Sequence, residues 1–146
     1  MSSFAGSFVS RIAAAPPVHD EDAADRLLEA LGPRAATLPT LAMQMLRAVG
    51  GASPYLSRLI ERDPDGLFAL LEAAPEQRLA ALVASTDAAG DIDDAAALAR
   101  GLRRLKGEAA LLAGLAEVAG VWTSLEAAAA LSDFADAAAN AALRGA

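Results

Sequence analysis

The stretch Leu98-Ala-Arg-Gly-Leu-Arg-Arg-Leu-Lys-Gly-Glu-Ala-Ala-Leu-Leu-Ala-Gly-Leu-Ala-Glu-Val-Ala119 decides the fold. Apolar residues recur at Leu98, Leu102, Leu105, Ala109, Leu112, Ala116 and Ala119, in alternating steps of four and three. That spacing puts all of them on one face of a long amphipathic helix and turns Arg100, Arg103, Arg104 and Glu108 elsewhere. A packing seam of this kind describes how a chain folds and carries no chemistry of its own.

Outward from the seam, punctuation divides the chain into short helices followed by long ones. Asp20 is a suitable N-cap for a helix through Leu27, Leu28 and Leu31, which Gly32-Pro33 ends. A second helix is expected over residues 39–49, with Leu41, Met45 and Leu46 inward and Gly50-Gly51 as its stop. Ser53-Pro54 and Asp63-Pro64 each set a capping side chain before a proline at the first helical position, where its missing N–H costs nothing. Tyr55, Leu56, Leu59 and Ile60 are the expected buried face of the first, and Leu67, Phe68, Leu70 and Leu71 that of the second. Pro75 opens a helix with Leu79, Leu82 and Val83 that is expected to dissolve over residues 85–90. Asp91 or Asp93 then caps the seam helix, and Gly120 ends it. Thr123 and Glu126 have capping-box spacing and start a last, alanine-rich helix carrying Leu125, Leu131, Phe134 and Leu143. The expected fold is an all-α, multi-helix bundle in which short helices precede a long antiparallel pair, with Trp122 as a plug between the last two helices.

Composition agrees with this. Alanine exceeds a quarter of the 146 residues, leucine is next, and β-branched and aromatic residues are scarce. The hydrophobic fraction of 55% is mostly alanine, and no window approaches the ~18 uninterrupted apolar residues of a membrane span. Phe4, Phe8, Val9 and Ile12 stand at helical spacing, with Arg11 after most of them, so residues 1–15 read as an amphipathic arm and not a targeting signal. Without cysteine there is no disulfide, thiolate metal site or thiol nucleophile, in keeping with a cytoplasmic setting. A net charge of −7 argues against nucleic-acid binding, which needs a positive contact surface.

Candidate chemistry is sparse. His19, the single histidine, lies in a Pro-Pro-Val-His-Asp-Glu-Asp loop that reads as a helix start. Asp91 and Asp93 resemble the paired aspartates with which nucleotidyltransferases hold divalent ions, but the pair needs a strand and a helix follows. They serve the helix macrodipole instead. Gly50-Gly51 lacks the preceding strand of a phosphate loop. The basic strip Arg100, Arg103, Arg104 and Lys106 reads as a solvated helix face, and its three arginines read alternatively as a surface that pairs with acidic groups of a partner domain.

Two segments together resemble one family. Ser53-Pro-Tyr-Leu-Ser-Arg-Leu-Ile-Glu-Arg-Asp-Pro-Asp-Gly-Leu67 is similar to the "SPFLARL…REP" segment of bacterial glutamine synthetase adenylyltransferases. The stretch from Leu102-Arg-Arg-Leu-Lys-Gly-Glu through Gly120-Val-Trp-Thr-Ser-Leu-Glu to Leu131-Ser-Asp-Phe-Ala-Asp-Ala-Ala138 is similar to that family's "LRR.K..E.LRI…DLAG…L.E.T..LS.LAD". The resemblance runs from about Thr40 onward, and the residues before it match nothing. It implies a large cytoplasmic enzyme with tandem nucleotidyltransferase domains that uses ATP and Mg²⁺ to attach AMP to a tyrosine of glutamine synthetase, removes it again, and responds to glutamine and the PII signal protein. It also implies that this chain is the helical region ahead of the first catalytic domain: residues 1–38 an arm and first helix, residues 39–146 a helical domain. The family's "Gly-Lys-Leu-Gly…Ser-Asp-x-Asp" motif follows the LSDFAD-like helix, and Asp91 and Asp93 precede it. They therefore inherit no metal role, and no catalytic, cofactor or metal residue carries over. On this reading the isolated chain is an inactive scaffold, with Arg100, Arg103 and Arg104 at the interface to the next domain and a homodimer as the expected response to uncovered apolar surface. The rival reading is a free-standing helical adaptor with no enzymatic role.

Overall fold

The structure, a computed structural model, describes residues 6–145 and is all-α; Phe4 of the expected arm lies outside the described residues. Eight α-helices are found among them: α1 Phe8–Arg11, α2 Glu21–Leu31, α3 Thr40–Ala52, α4 Pro54–Arg62, α5 Pro64–Glu72, α6 Pro75–Ala89, α7 Ala95–Val118 and α8 Ser124–Gly145. A 3-10 segment, Gly32–Thr37, joins α2 to α3. No described helix is long and apolar enough to cross a membrane.

The expected caps are present. Asp20 Oδ1 accepts from the Ala23 N–H at 3.0 Å, Ser53 Oγ from Leu56 at 3.2 Å and Asp63 Oδ1 from Gly66 at 3.0 Å. Thr123 and Glu126 bond reciprocally, the Glu126 N–H to the hydroxyl at 3.1 Å and the Thr123 N–H to the carboxylate at 2.9 Å. Gly120 takes φ +70°, so the Val121 and Trp122 N–H groups turn back onto the Ala116 carbonyl and close α7.

Several expectations need correction. Helix α3 runs through Gly50 and Gly51 to Ala52. A Cβ on Gly50 would lie 3.0 Å from Leu27 Cδ2 and 3.2 Å from the Ala24 Cα, so this glycine admits α2 at close range and stops nothing. Leu41 faces solvent, and Ala42 takes the inward position. Tyr55 is 47% exposed because it sits about a quarter turn from the centre of the face made by Leu56, Leu59 and Ile60. Helix α6 continues to Ala89 through Thr86, which is fully buried and donates its hydroxyl to the Leu82 carbonyl at 2.7 Å. The cap of α7 is Asp94, not Asp91 or Asp93, and its carboxylate accepts from the Ala96 N–H at 3.0 Å.

Helix α7 is the centre of the core. Its seam is buried except for the half-exposed Leu102, and Leu111, Ala113 and Leu115 are buried beside it, so its second half is enclosed on nearly every side. Helices α6, α7 and α8 pack on one another, α4 crosses α7, and α2 lies along α3. Helix α8 turns inward a stripe of Ala127, Ala130, Phe134, Ala137 and Ala141, leaving Leu125, Leu131 and Leu143 outside. Its last residue, Gly145, is close enough to Leu98 that a Cβ there would collide with it.

The arm is tied down by backbone bonds, from the Phe8 N–H to the Ala73 carbonyl and from the Ala13 and Ala14 N–H groups to the Ala119 carbonyl. Glu76 reinforces the tie. One carboxylate oxygen meets Arg11 Nη1 at 2.6 Å, and the other accepts from the Trp122 indole N–H at 3.4 Å. Trp122 is thus buried at the α7–α8 turn against the start of α6, joining three elements and not only the last two helices.

The Arg11 guanidinium holds the Glu76 carboxyl at about 2, well below its ordinary 4.5. A carboxylate whose pKa is lower in the folded state stabilises the fold above the unfolded value and loses that contribution as pH falls toward the folded one. Stability should therefore drop between about pH 4.5 and about 2, and Glu76→Gln should be less stable at neutral pH and lose less across that window. Urea titrations followed by the fluorescence of Trp122, the sole tryptophan, measure both. In the same assay Leu115→Ala, at a fully buried site of α7, should cost about 2–5 kcal/mol.

Candidate functional site

Helix α4 reaches α7 at two glycines. A Cβ on Gly107 would stand 3.1 Å from Leu59 Cδ2, and one on Gly114 3.0 Å from Leu56 Cδ1, so both positions are filled by the α4 leucines. The Asp63 cap then turns the chain into α5, and the space left between α4, α5, α6 and α7 is a cleft of about 310 Å³. Its walls are apolar, from Leu59, Leu67, Leu70 and Leu111. Four arginines also line it: Arg62 from α4, Arg78 from α6, and Arg103 and Arg104 from α7.

Two carboxylates accompany these cations, and both are engaged. Asp63 caps α5, and Glu108 faces Arg104 Nη1 at 3.4 Å, a loose i,i+4 pair. Arg62, Arg78 and Arg103 have no ion pair among the described residues. Arg78 is the least ordinary of them, since its Nε is buried and has no hydrogen-bond partner.

The three arginines singled out in the sequence are divided by the structure. Arg103 and Arg104 line the cleft, and Arg100, one turn earlier on α7, is exposed and outside it. Arg62 and Arg78 were not legible beforehand, because no spacing in the sequence links positions 62, 78 and 103. His19 is exposed in the loop before α2, and Asp91 and Asp93 are exposed in the turn before α7. No group of three His, Asp or Glu side chains able to hold a metal ion occurs among the described residues.

A family model described as "Glutamate-ammonia ligase adenylyltransferase" matches residues 43–146, most of the chain and both α4 and the α7–α8 unit. The chain belongs to this family. Similar relatives are all named "Bifunctional glutamine synthetase adenylyltransferase/adenylyl-removing enzyme". The protein of Caulobacter vibrioides is 38% identical over 136 residues, 91% of this chain and 14% of the relative. That of Bradyrhizobium diazoefficiens is 38% identical over 151 residues, 94% and 15%, and that of Rhodopseudomonas palustris 43% identical over 102 residues, 68% and 10%. The chain thus spans between a tenth and a sixth of the length of these relatives. Alignments covering more than nine tenths of the chain also reach well before Thr40, which corrects the expectation that the first residues match nothing. No solved structure matches.

Because Leu59 Cδ2 stands 3.1 Å from where a side chain at position 107 would begin, Gly107→Val should displace Leu59 and crowd the α4–α7 contact. The expected loss is about 1–3 kcal/mol of unfolding free energy, read from a denaturant midpoint.

Proposed function

We propose that this chain is a non-catalytic helical scaffold of a bifunctional enzyme that adenylylates and deadenylylates a tyrosine of glutamine synthetase. On this reading ATP, Mg²⁺, glutamine synthetase and the PII protein belong to the whole enzyme, and this region positions the nucleotidyltransferase domain that follows it. The observation carrying the proposal is the outer face of α8. Leu125 and Leu143 are 82% and 76% exposed and lie in the same direction, five helical turns apart, on a helix whose inner stripe is already used. A neighbouring domain lying along this helix face would cover both leucines, and relatives roughly seven times the length of this chain have room for one. Arg100, outside the cleft, keeps the role of a contact to acidic groups of that domain. Arg103 and Arg104 contribute to the interface from the cleft's edge.

The double variant Leu125→Asp/Leu143→Asp tests this in two settings. In the 146-residue chain it should leave unfolding free energy within about 0.5 kcal/mol, as exposed substitutions do. In the full-length enzyme it should loosen the junction, seen as faster limited proteolysis after α8, with a fall in both adenylylation and deadenylylation. Unchanged activities and protease pattern would overturn the proposal. The 146-residue chain alone should show no saturable micromolar ATP binding by calorimetry. Light scattering should give twice 14.8 kDa at high concentration, returning to 14.8 kDa in the double variant.

A further inference from the structure

We propose that the cleft between α4, α5, α6 and α7 binds a small organic anion, a carboxylate or phosphate group carried on a compact apolar body. The inference goes beyond the scaffold reading and stands without it. In a chain of net charge −7, four of the eleven arginines converge on one cavity. They come from three helices, so no single solvated face accounts for them. Two carboxylates against four guanidinium groups leave the site formally positive: Asp63 is held as the cap of α5, and Glu108 faces Arg104 alone.

The chemistry of the lining specifies the ligand. Guanidinium is a planar fork of donors that matches carboxylate and phosphate oxygens, and it is weakly hydrated enough to work beside apolar walls. Arg78, half-buried on α6 and without an ion pair among the described residues, is the cation placed to meet the charged end. Leu59, Leu67, Leu70 and Leu111 would receive the apolar body. A volume of about 310 Å³ stands at the small end of ligand pockets and suits a compact molecule better than an extended one.

Amide chemical shifts of the 146-residue chain, titrated at constant ionic strength with hexanoate, phenyl phosphate, hexan-1-ol and inorganic phosphate, test this directly. The expected result is saturable shifts at Gly66, Gly107 and Leu111 with hexanoate or phenyl phosphate, and much weaker, non-saturating shifts with the alcohol and with inorganic phosphate. Arg78→Met, which keeps an apolar stem, should weaken binding about tenfold. Arg62→Gln, at an exposed position where folding is not at stake, should weaken it to a lesser degree. Saturation by hexan-1-ol as strong as by hexanoate would reduce the cleft to an apolar hole, and inorganic phosphate binding as tightly as phenyl phosphate would reduce it to surface charge. Absence of saturation with all four probes, or affinities unmoved by both variants, would equally overturn the proposal. Titrating the full-length enzyme separates a free ligand from an acidic side chain of the same polypeptide. If that enzyme no longer binds hexanoate while the 146-residue chain does, the cleft is filled internally and the proposal fails.

Discussion

Enclosure of the second half of α7 is the constraint on which the rest of the structure depends. Leu111, Leu112, Ala113, Leu115 and Ala116 are all buried, and five such residues in six span more than one side of a helix. No single neighbour can cover them, so α4, α6 and α8 must all reach the same helix. Small residues make that crowding possible. Gly107 and Gly114 admit the leucines of α4, and the alanine stripe of α8 lets its axis approach without large side chains between. Alanine offers little area to bury, so the hydrophobic stabilisation falls to α7's own leucines and to Phe134. The leucines of α8 have no place in an interior already filled in this way.

The parts of this arrangement that were legible in the sequence are those whose physics is local. A cap and the N–H it receives are three residues apart, and Asp20, Ser53, Asp63 and the Thr123–Glu126 pair all bond as their spacing predicts. The seam of α7 was equally plain, since a period of 3.6 is written in the order of the residues. Readings failed where a residue answers to something distant. Gly50 looks like a helix stop, and Leu27 of α2, twenty-three positions earlier, decides that it is a point of close approach. Residues 85–90 look like a loop, but Thr86 satisfies its own hydroxyl within the helix and packs inward. The cleft is the extreme case, because its arginines come from positions that only the packing of α4 and α6 on α7 brings together.

The crossing of α4 over α7 explains why the two segments resembling the adenylyltransferase family are informative together. The first, from Ser53 to Leu67, supplies α4, its turn and the start of α5; the second, from Leu102 to Ala138, supplies most of α7 and α8. They are far apart in sequence and touch at Leu56 with Gly114 and Leu59 with Gly107. Each is therefore half of one packing unit, and neither half has a reason to take its form without the other. Three of the four cleft arginines, Arg62, Arg103 and Arg104, lie within these same two segments. The contact of Leu56 and Leu59 with the two glycines is apolar and asks for no charge nearby. The cleft arginines that have no ion pair among the described residues, Arg62, Arg78 and Arg103, are not required by that contact. Their presence is better accounted for by what enters the cleft than by what holds it open.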